Sequence, residues 1–302
     1  RSKIWLFPGL GCRYVGMGGD IIGREPAADA IVEQASDWLG YDVAEVCLEG
    51  SGRKHVPARQ ESQVIYVVSC AYAAVLESRG WTPECVVGHS LGSWAAAAAC
   101  GVYDVATGLA LLTEVERLLE QFADGTGQAM GVIIGLNSSE LRSLVSPRED
   151  VWVANWNSPK QQVIAGNESG VEAILAAARD RGVKPARRLP TTRAMHTPLL
   201  IPVAQAMHGE FERTALHPPK VPFVSTRDGR LLRTAGEVSE FLCDALVQPV
   251  EWQATIEELL RAPEVSFLDV GPGNVLAGMI PFIDPAAPIQ SAAELLDQQV
   301  VA

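Results

Sequence analysis

Val86-Val87-Gly88-His89-Ser90-Leu91-Gly92-Ser93-Trp94 is followed at once by the small residues Ala95 to Ala99. Apolar residues enter it, two glycines flank a serine, and an alanine-rich helix leaves it. That order reads as strand, sharp turn, helix, the pattern of a nucleophile elbow. The glycines have a steric purpose: a serine in a strained turn needs neighbours without Cβ atoms if strand and helix are to pass close together. The Ser90 hydroxyl then stands at a helix N-terminus, where backbone N–H groups and the helix dipole favour an oxyanion. A serine that merely capped the helix would need no second glycine.

On the N-terminal side of the elbow, Lys3 to Phe7 is a short apolar strand that ends in the turn Pro8-Gly9-Leu10-Gly11. A dinucleotide site is not indicated there, because the third glycine and the distal acid are missing. The loop is better used as a second source of backbone N–H groups, which requires it to pack beside the elbow. Ala27 to Leu48 has an amphipathic helical pattern, and Gly50 to Arg59 reads as a polar loop. Gln63 to Leu76 is apolar on nearly all faces, a helix buried against a sheet. Val105 to Phe122 is a long helix with Leu109, Leu112, Val115, Leu119 and Phe122 at helical spacing.

The chain changes character after Asp124-Gly125-Thr126-Gly127. Strand (129–136), helix (138–144), strand (151–155), the turn Asn157-Ser158-Pro159, strand (162–165), helix (170–179) and strand (186–189) follow in the order β-α-β-β-α-β. That is a ferredoxin-like unit. Beyond Leu199 come a helix, a strand at Val221 to Val224, a second helix through Phe241 and Leu246, and a strand at Val265 to Val270. Strand and helix alternate on both sides of the insert, which predicts an α/β core with a parallel, doubly wound sheet. The expected division is a discontinuous large subdomain, 1–126 and 193–302, and a small subdomain, 127–192.

A chain of 302 residues with 48% hydrophobic content can bury a large core. No apolar run reaches the roughly 18 residues of a spanning helix, and no charged-then-apolar leader precedes Ile4, so the expectation is a cytoplasmic protein. Arg1 without a preceding Met suggests a trimmed start. The six cysteines are widely spaced without a CxxC pair, which points to buried thiols and away from zinc or any other metal. A formal net charge of -12 argues against nucleic acid and makes a local positive cluster noteworthy.

A serine nucleophile needs a base. Of the five histidines, His55 lies in the polar loop, His217 precedes two prolines, and both read as solvated; His208 sits in an amphipathic helix. His89 adjoins Ser90, and neighbours at a tight turn point apart, so packing or hydrogen bonding is its simplest use. His196, in Arg193-Ala194-Met195-His196-Thr197-Pro198, lies where the insert rejoins the core and can face a cleft.

Five ordered motifs then coincide: Phe7 to Gly11, Gly88 to Gly92, Ala154 to Pro159, Ala194 to Pro198, and Asp269 to Leu276. Together they resemble the malonyl-CoA:acyl carrier protein transacylases and the acyltransferase domains of polyketide synthases, over about residues 4–276. The resemblance implies a hydrolase-like core with a ferredoxin-like insert, and ping-pong acyl transfer through a serine ester. It implies Ser90 as nucleophile, His196 as general base and later acid, and the backbone N–H groups of Leu10 and Leu91 as oxyanion hole. It further implies a main-chain carbonyl near Ala245 that steadies the histidine, and a substrate-binding set of Gln63, His89, Val115 and Met195. No cofactor is expected to be bound; the acyl group arrives on the 4'-phosphopantetheine of a carrier protein.

Departures from the family pattern bear on the substrate. Leu10 stands where the family usually has Gln, and Ser93 where it has Glu. Members that use malonyl or methylmalonyl units carry an arginine in the helix after the elbow, which pairs bidentately with the free carboxylate. Here that position is Val115, and Arg117, two residues on, is rotated roughly 200° around the helix. An unpaired buried carboxylate costs several kcal/mol, so a non-malonyl acyl group is expected, with Met195 beside it. Arg117 would restore a malonyl reading if the register were shifted. Lys184, Arg187, Arg188 and Arg193 form a basic run that suits an acidic carrier protein, or equally protects an exposed strand. The expected function is transfer of an aminoacyl or dipeptidyl starter between carrier proteins in polyketide antibiotic biosynthesis, as in macrolactam pathways. A proofreading acyl-carrier hydrolase and an inactive carrier-binding scaffold are the alternatives.

Overall fold

The computed structural model describes residues 2–50 and 56–300; the expected solvated His55 falls outside them. Among the described residues ten strands form two sheets: β1 (Ser2–Phe7), β2 (Cys85–Gly88), β3 (Gln128–Ile134), β4 (Val151–Ser158), β5 (Gln161–Asn167), β6 (Ala186–Arg188), β7 (Phe223–Val224), β8 (Leu231–Leu232), β9 (Val265–Asp269) and β10 (Ile289–Ser291). The larger sheet runs β10-β9-β1-β2-β7-β8, parallel except for the antiparallel β7–β8 edge. The smaller runs β4-β5-β3-β6 and is antiparallel throughout, the strand order of a ferredoxin-like unit. The short strands β8 and β10 are additions to the sequence-based reading.

Helix bounds differ from the hydropathy reading at two places. The Ala27 to Leu48 pattern is two helices, Pro26–Leu39 and Val43–Leu48, because Gly40 takes φ 74° and Asp42 caps a new start. The buried helix runs Ala58–Ser78, so Ala58 and Arg59 belong to helix rather than loop; fourteen of its residues from Ser62 to Leu76 are buried, as an element enclosed on nearly all faces requires. The turn expected at Asn157 and Ser158 comes later, because β4 extends through Ser158.

Parallel pairing sets where the loops gather. Phe7 lies opposite Gly88, and Leu6 opposite Asp269, so the carboxyl ends of β1, β2 and β9 lie level. Residues 8–11, the elbow and Gly271-Pro272-Gly273 all leave from that edge, where open α/β sheets hold their sites. The loops touch: a Cβ on Gly9 would meet the His89 carbonyl oxygen at 2.5 Å, and one on Gly271 would meet Pro8 Cγ at 2.4 Å. The small sheet is tied to this end by two backbone bonds, Trp156 N–H to Val250 O (2.9 Å) and Val250 N–H to Ala154 O (2.8 Å).

Candidate active site

Both elbow glycines prove to be close-approach positions rather than left-handed ones. A Cβ on Gly88 would lie 2.1 Å from the Ser93 backbone, and one on Gly92 1.9 Å from Phe7 O. The strain sits on the serine itself, at φ 53°. His196 shares this unusual state, with φ 63°. A non-glycine residue in the left-handed region costs about 1–3 kcal/mol and persists only where its surroundings hold it. Here they hold both, and they bring the two side chains together across 106 residues of chain: Ser90 Oγ lies 2.7 Å from His196 Nε2.

The proton positions follow from the partners. His196 Nδ1 is 2.6 Å from Ala245 O, a carbonyl that can only accept, so Nδ1 carries the hydrogen. Nε2 therefore offers its lone pair to the Ser90 hydroxyl. The His196 backbone N–H donates to Leu246 O at 3.0 Å, fixing the ring's root to the same turn. Burial pushes the imidazole pKa down to about 4, against the opposing pull of the Ala245 carbonyl. At neutral pH the ring is an uncharged acceptor already bonded to a hydroxyl, which can take the proton as the oxygen attacks an electrophile.

Next to this pair is a cavity of about 60 Å³, lined by Leu10, Ser62, Leu91, Val115, Glu116, Arg193 and Met195 as well as Ser90 and His196. That is room for about two waters, which suits a compact group, and the flexible side chain of Met195 forms part of its wall. Leu10 and Leu91 flank Ser90 with the Pro8–Gly11 loop packed on the elbow. A second cavity of about 430 Å³ also touches His196, lined by Arg142, Trp152, Trp156, Pro249 and Glu251 among others. Arg142 stacks on the Trp156 ring there, 4.3 Å from its centroid.

Three expected site residues lie elsewhere. Gln63 does not line the cavity: its carbonyl accepts from Tyr41 Oη at 3.1 Å and its amide donates to Thr113 Oγ1 at 2.9 Å, so its neighbour Ser62 faces the space instead. His89 turns away from Ser90, as neighbours at a tight turn do; its Nε2–H donates to Asn157 Oδ1 at 2.8 Å and its ring meets Trp252 edge-on. Arg193 is not part of a docking surface. Only 6% exposed, it donates Nε and Nη2 to Asp124 at 2.8 and 3.0 Å and Nη1 to Glu116 at 2.5 Å. Lys184, Arg187 and Arg188 are exposed, with Arg188 paired to Glu168.

The helix Val105–Phe122 puts Val115 on the cavity wall and Arg117 outside, where Arg117 pairs with Glu114 and Gln121. Glu116, which sequence reasoning passed over, is buried beside Val115 and accepts a hydrogen bond from Arg193. A signal was available: Leu112, Val115, Glu116 and Leu119 share one helical face, and a carboxylate among apolar neighbours at that spacing is out of place on a core side.

The acyl transferase domain model matches residues 4–292. The chain belongs to that family. It is 31% identical over 295 residues to the malonyl CoA-acyl carrier protein transacylase of Synechocystis, covering 97% of each chain. It is 28% identical to the polyketide biosynthesis malonyl CoA-acyl carrier protein transacylase PksC of Bacillus subtilis, covering 91% of this chain and 95% of that one. Among solved structures, the Coxiella burnetii malonyl CoA-acyl carrier protein transacylase superposes with TM-score 0.93 at 28% identity, covering 100% of this acyl transferase domain and 96% of that chain. A malonyl-transacylase solved with its type II polyketide synthase acyl-carrier protein gives TM-score 0.93 at 27% identity, covering 99% and 100%.

Proposed function

We propose that this acyltransferase moves a non-malonyl acyl group between acyl carrier proteins through an ester on Ser90. Ser90 Oγ attacks the thioester carbonyl of a phosphopantetheine-borne acyl group while its proton passes to His196 Nε2. The tetrahedral oxyanion is received by the backbone N–H groups of Leu10 and Leu91. The C–S bond breaks, the departing thiol takes the proton from His196, and a second carrier's thiol reverses the sequence.

The observation that carries the choice of acyl group is the cavity wall at Val115, with Arg117 outside and paired. An aminoacyl or dipeptidyl starter suits a wall at which Arg193 is already paired and Arg117 lies outside, and flexible Met195 lines the space beside it. The names of the relatives favour a second reading, malonyl transfer, in which Arg193 is the guanidinium at the cavity. Exposing the protein to malonyl, butanoyl and aminoacyl thioesters and weighing the intact protein separates the two. A non-malonyl adduct, absent in Ser90→Ala, is the expected result; dominant malonylation of Ser90 overturns the choice of acyl group. Adding a second carrier distinguishes transfer from release as free acid.

The large and small subdomains, 1–126 with 193–302 and 127–192, are proposed as units that meet at this cleft. The exposed Lys184, Arg187 and Arg188 are proposed as the edge that meets the acidic carrier.

A further inference from the structure

We infer that Glu116, held by Arg193, selects the charge of the acyl group: the cavity accepts a chain ending in an ammonium and rejects one ending in a carboxylate. This rests on the non-malonyl reading above and names a residue and a substrate class for it.

Arg193 lines the same cavity as Ser90, and it is the cation that could receive an acid there. Its Nε and Nη2 are taken by both oxygens of Asp124, and its Nη1 by Glu116. One positive charge is thus opposed by two negative ones. The Arg193 and Glu116 side chains are only 7% and 5% exposed, so solvent screens them little. An incoming carboxylate would enter as a third anion or would have to expel one of the two already bonded.

An ammonium meets the opposite situation. A carboxylate has about four lone-pair sites, and at Glu116 Arg193 occupies one of them. The remaining acceptors belong to a buried group whose ionised form is already penalised by desolvation. A cation brought alongside relieves that penalty and supplies the missing donors. Val115 and Leu119 line the cavity beside Glu116, so the stem of such a chain packs on apolar surface while its end reaches the carboxylate.

The test measures Ser90 acylation by 3-aminopropanoyl, butanoyl and malonyl thioesters of N-acetylcysteamine, singly and in competition. The first two have the same length and differ in one terminal group. Wild type is expected to prefer 3-aminopropanoyl over butanoyl by about 10-fold to 100-fold, the worth of a hydrogen bond to a charged group, with malonyl last. Glu116→Gln should bring that ratio close to one, and Glu116→Asp should retain the preference.

A purely structural role for Glu116 predicts that Glu116→Gln slows all three in proportion, and that result overturns the inference. So does an unchanged ratio. If Glu116→Gln fails to fold, the wild-type ranking and Glu116→Asp still decide. Should wild type take 3-aminopropanoyl and butanoyl alike but both ahead of malonyl, this inference falls while the non-malonyl reading stands. Malonyl ranking first defeats both.

Discussion

Gly92→Ala probes the claim that the elbow works because two backbones touch. Its added methyl would lie 1.9 Å from Phe7 O and 2.8 Å from Pro8 O, where real Cβ contacts essentially never fall under 3.0 Å. Relief requires the elbow helix to retreat from β1 by about 1 Å, a displacement that in an active site can cost about 100-fold in rate. Retreat is opposed, because the His89 N–H is hydrogen-bonded to that same Phe7 carbonyl at 2.9 Å, and Ala96 and Ala97 are wholly buried behind. Overpacking of this kind costs about 1–3 kcal/mol. At about 2–4 °C per kcal/mol for a chain approaching this size, the melting temperature should fall by several degrees. The assay pairs thermal unfolding with the rate of Ser90 acylation, and Gly236→Ala is the control, an exposed helical site where a Cβ meets nothing within 4 Å. That control should be neutral or stabilising by about 0.4–1 kcal/mol. A Gly92→Ala protein with wild-type rate and melting temperature would refute the steric argument.

Three further outcomes are expected. His196 acts as base only when neutral, so activity is present above its pKa and lost as pH falls through it; because burial brings that value to about 4, kcat/KM for acylation by a non-titrating thioester should hold well below pH 6.5, and an acid limb at the ordinary histidine value would contradict the burial. Asn157→Ala strips the acceptor from the His89 Nε2–H, itself held neutral by burial, and should cost about 1–3 kcal/mol in denaturant unfolding; unchanged stability would show that the bond contributes nothing. Charge reversal at exposed Lys184 and Arg187 should raise KM for acyl-carrier protein, most at low salt, without changing KM for a small thioester, and an equal effect on both substrates would remove the docking role.

What could be read from the chain alone was local. Glycines at 88 and 92, apolar residues before them and alanines after them determine strand, turn and helix within a dozen positions. Period-two and helical patterns in 128–189 likewise suffice for the ferredoxin-like order, since each element's buried face is written in its own residues. His196 was legible as a junction residue, and its role came from the ordered motifs. Which charges meet depends on packing between segments far apart in the chain. Arg193 lies 77 residues from Glu116 and 69 from Asp124, and nothing in its own segment distinguishes it from the basic run before it. Only the docking of the 191–196 segment against the Val105–Phe122 helix turns it inward, because a buried guanidinium goes where carboxylates wait for it. The same packing turned Gln63 toward Tyr41 and Thr113, and left the cavity wall to Ser62, Val115 and Glu116.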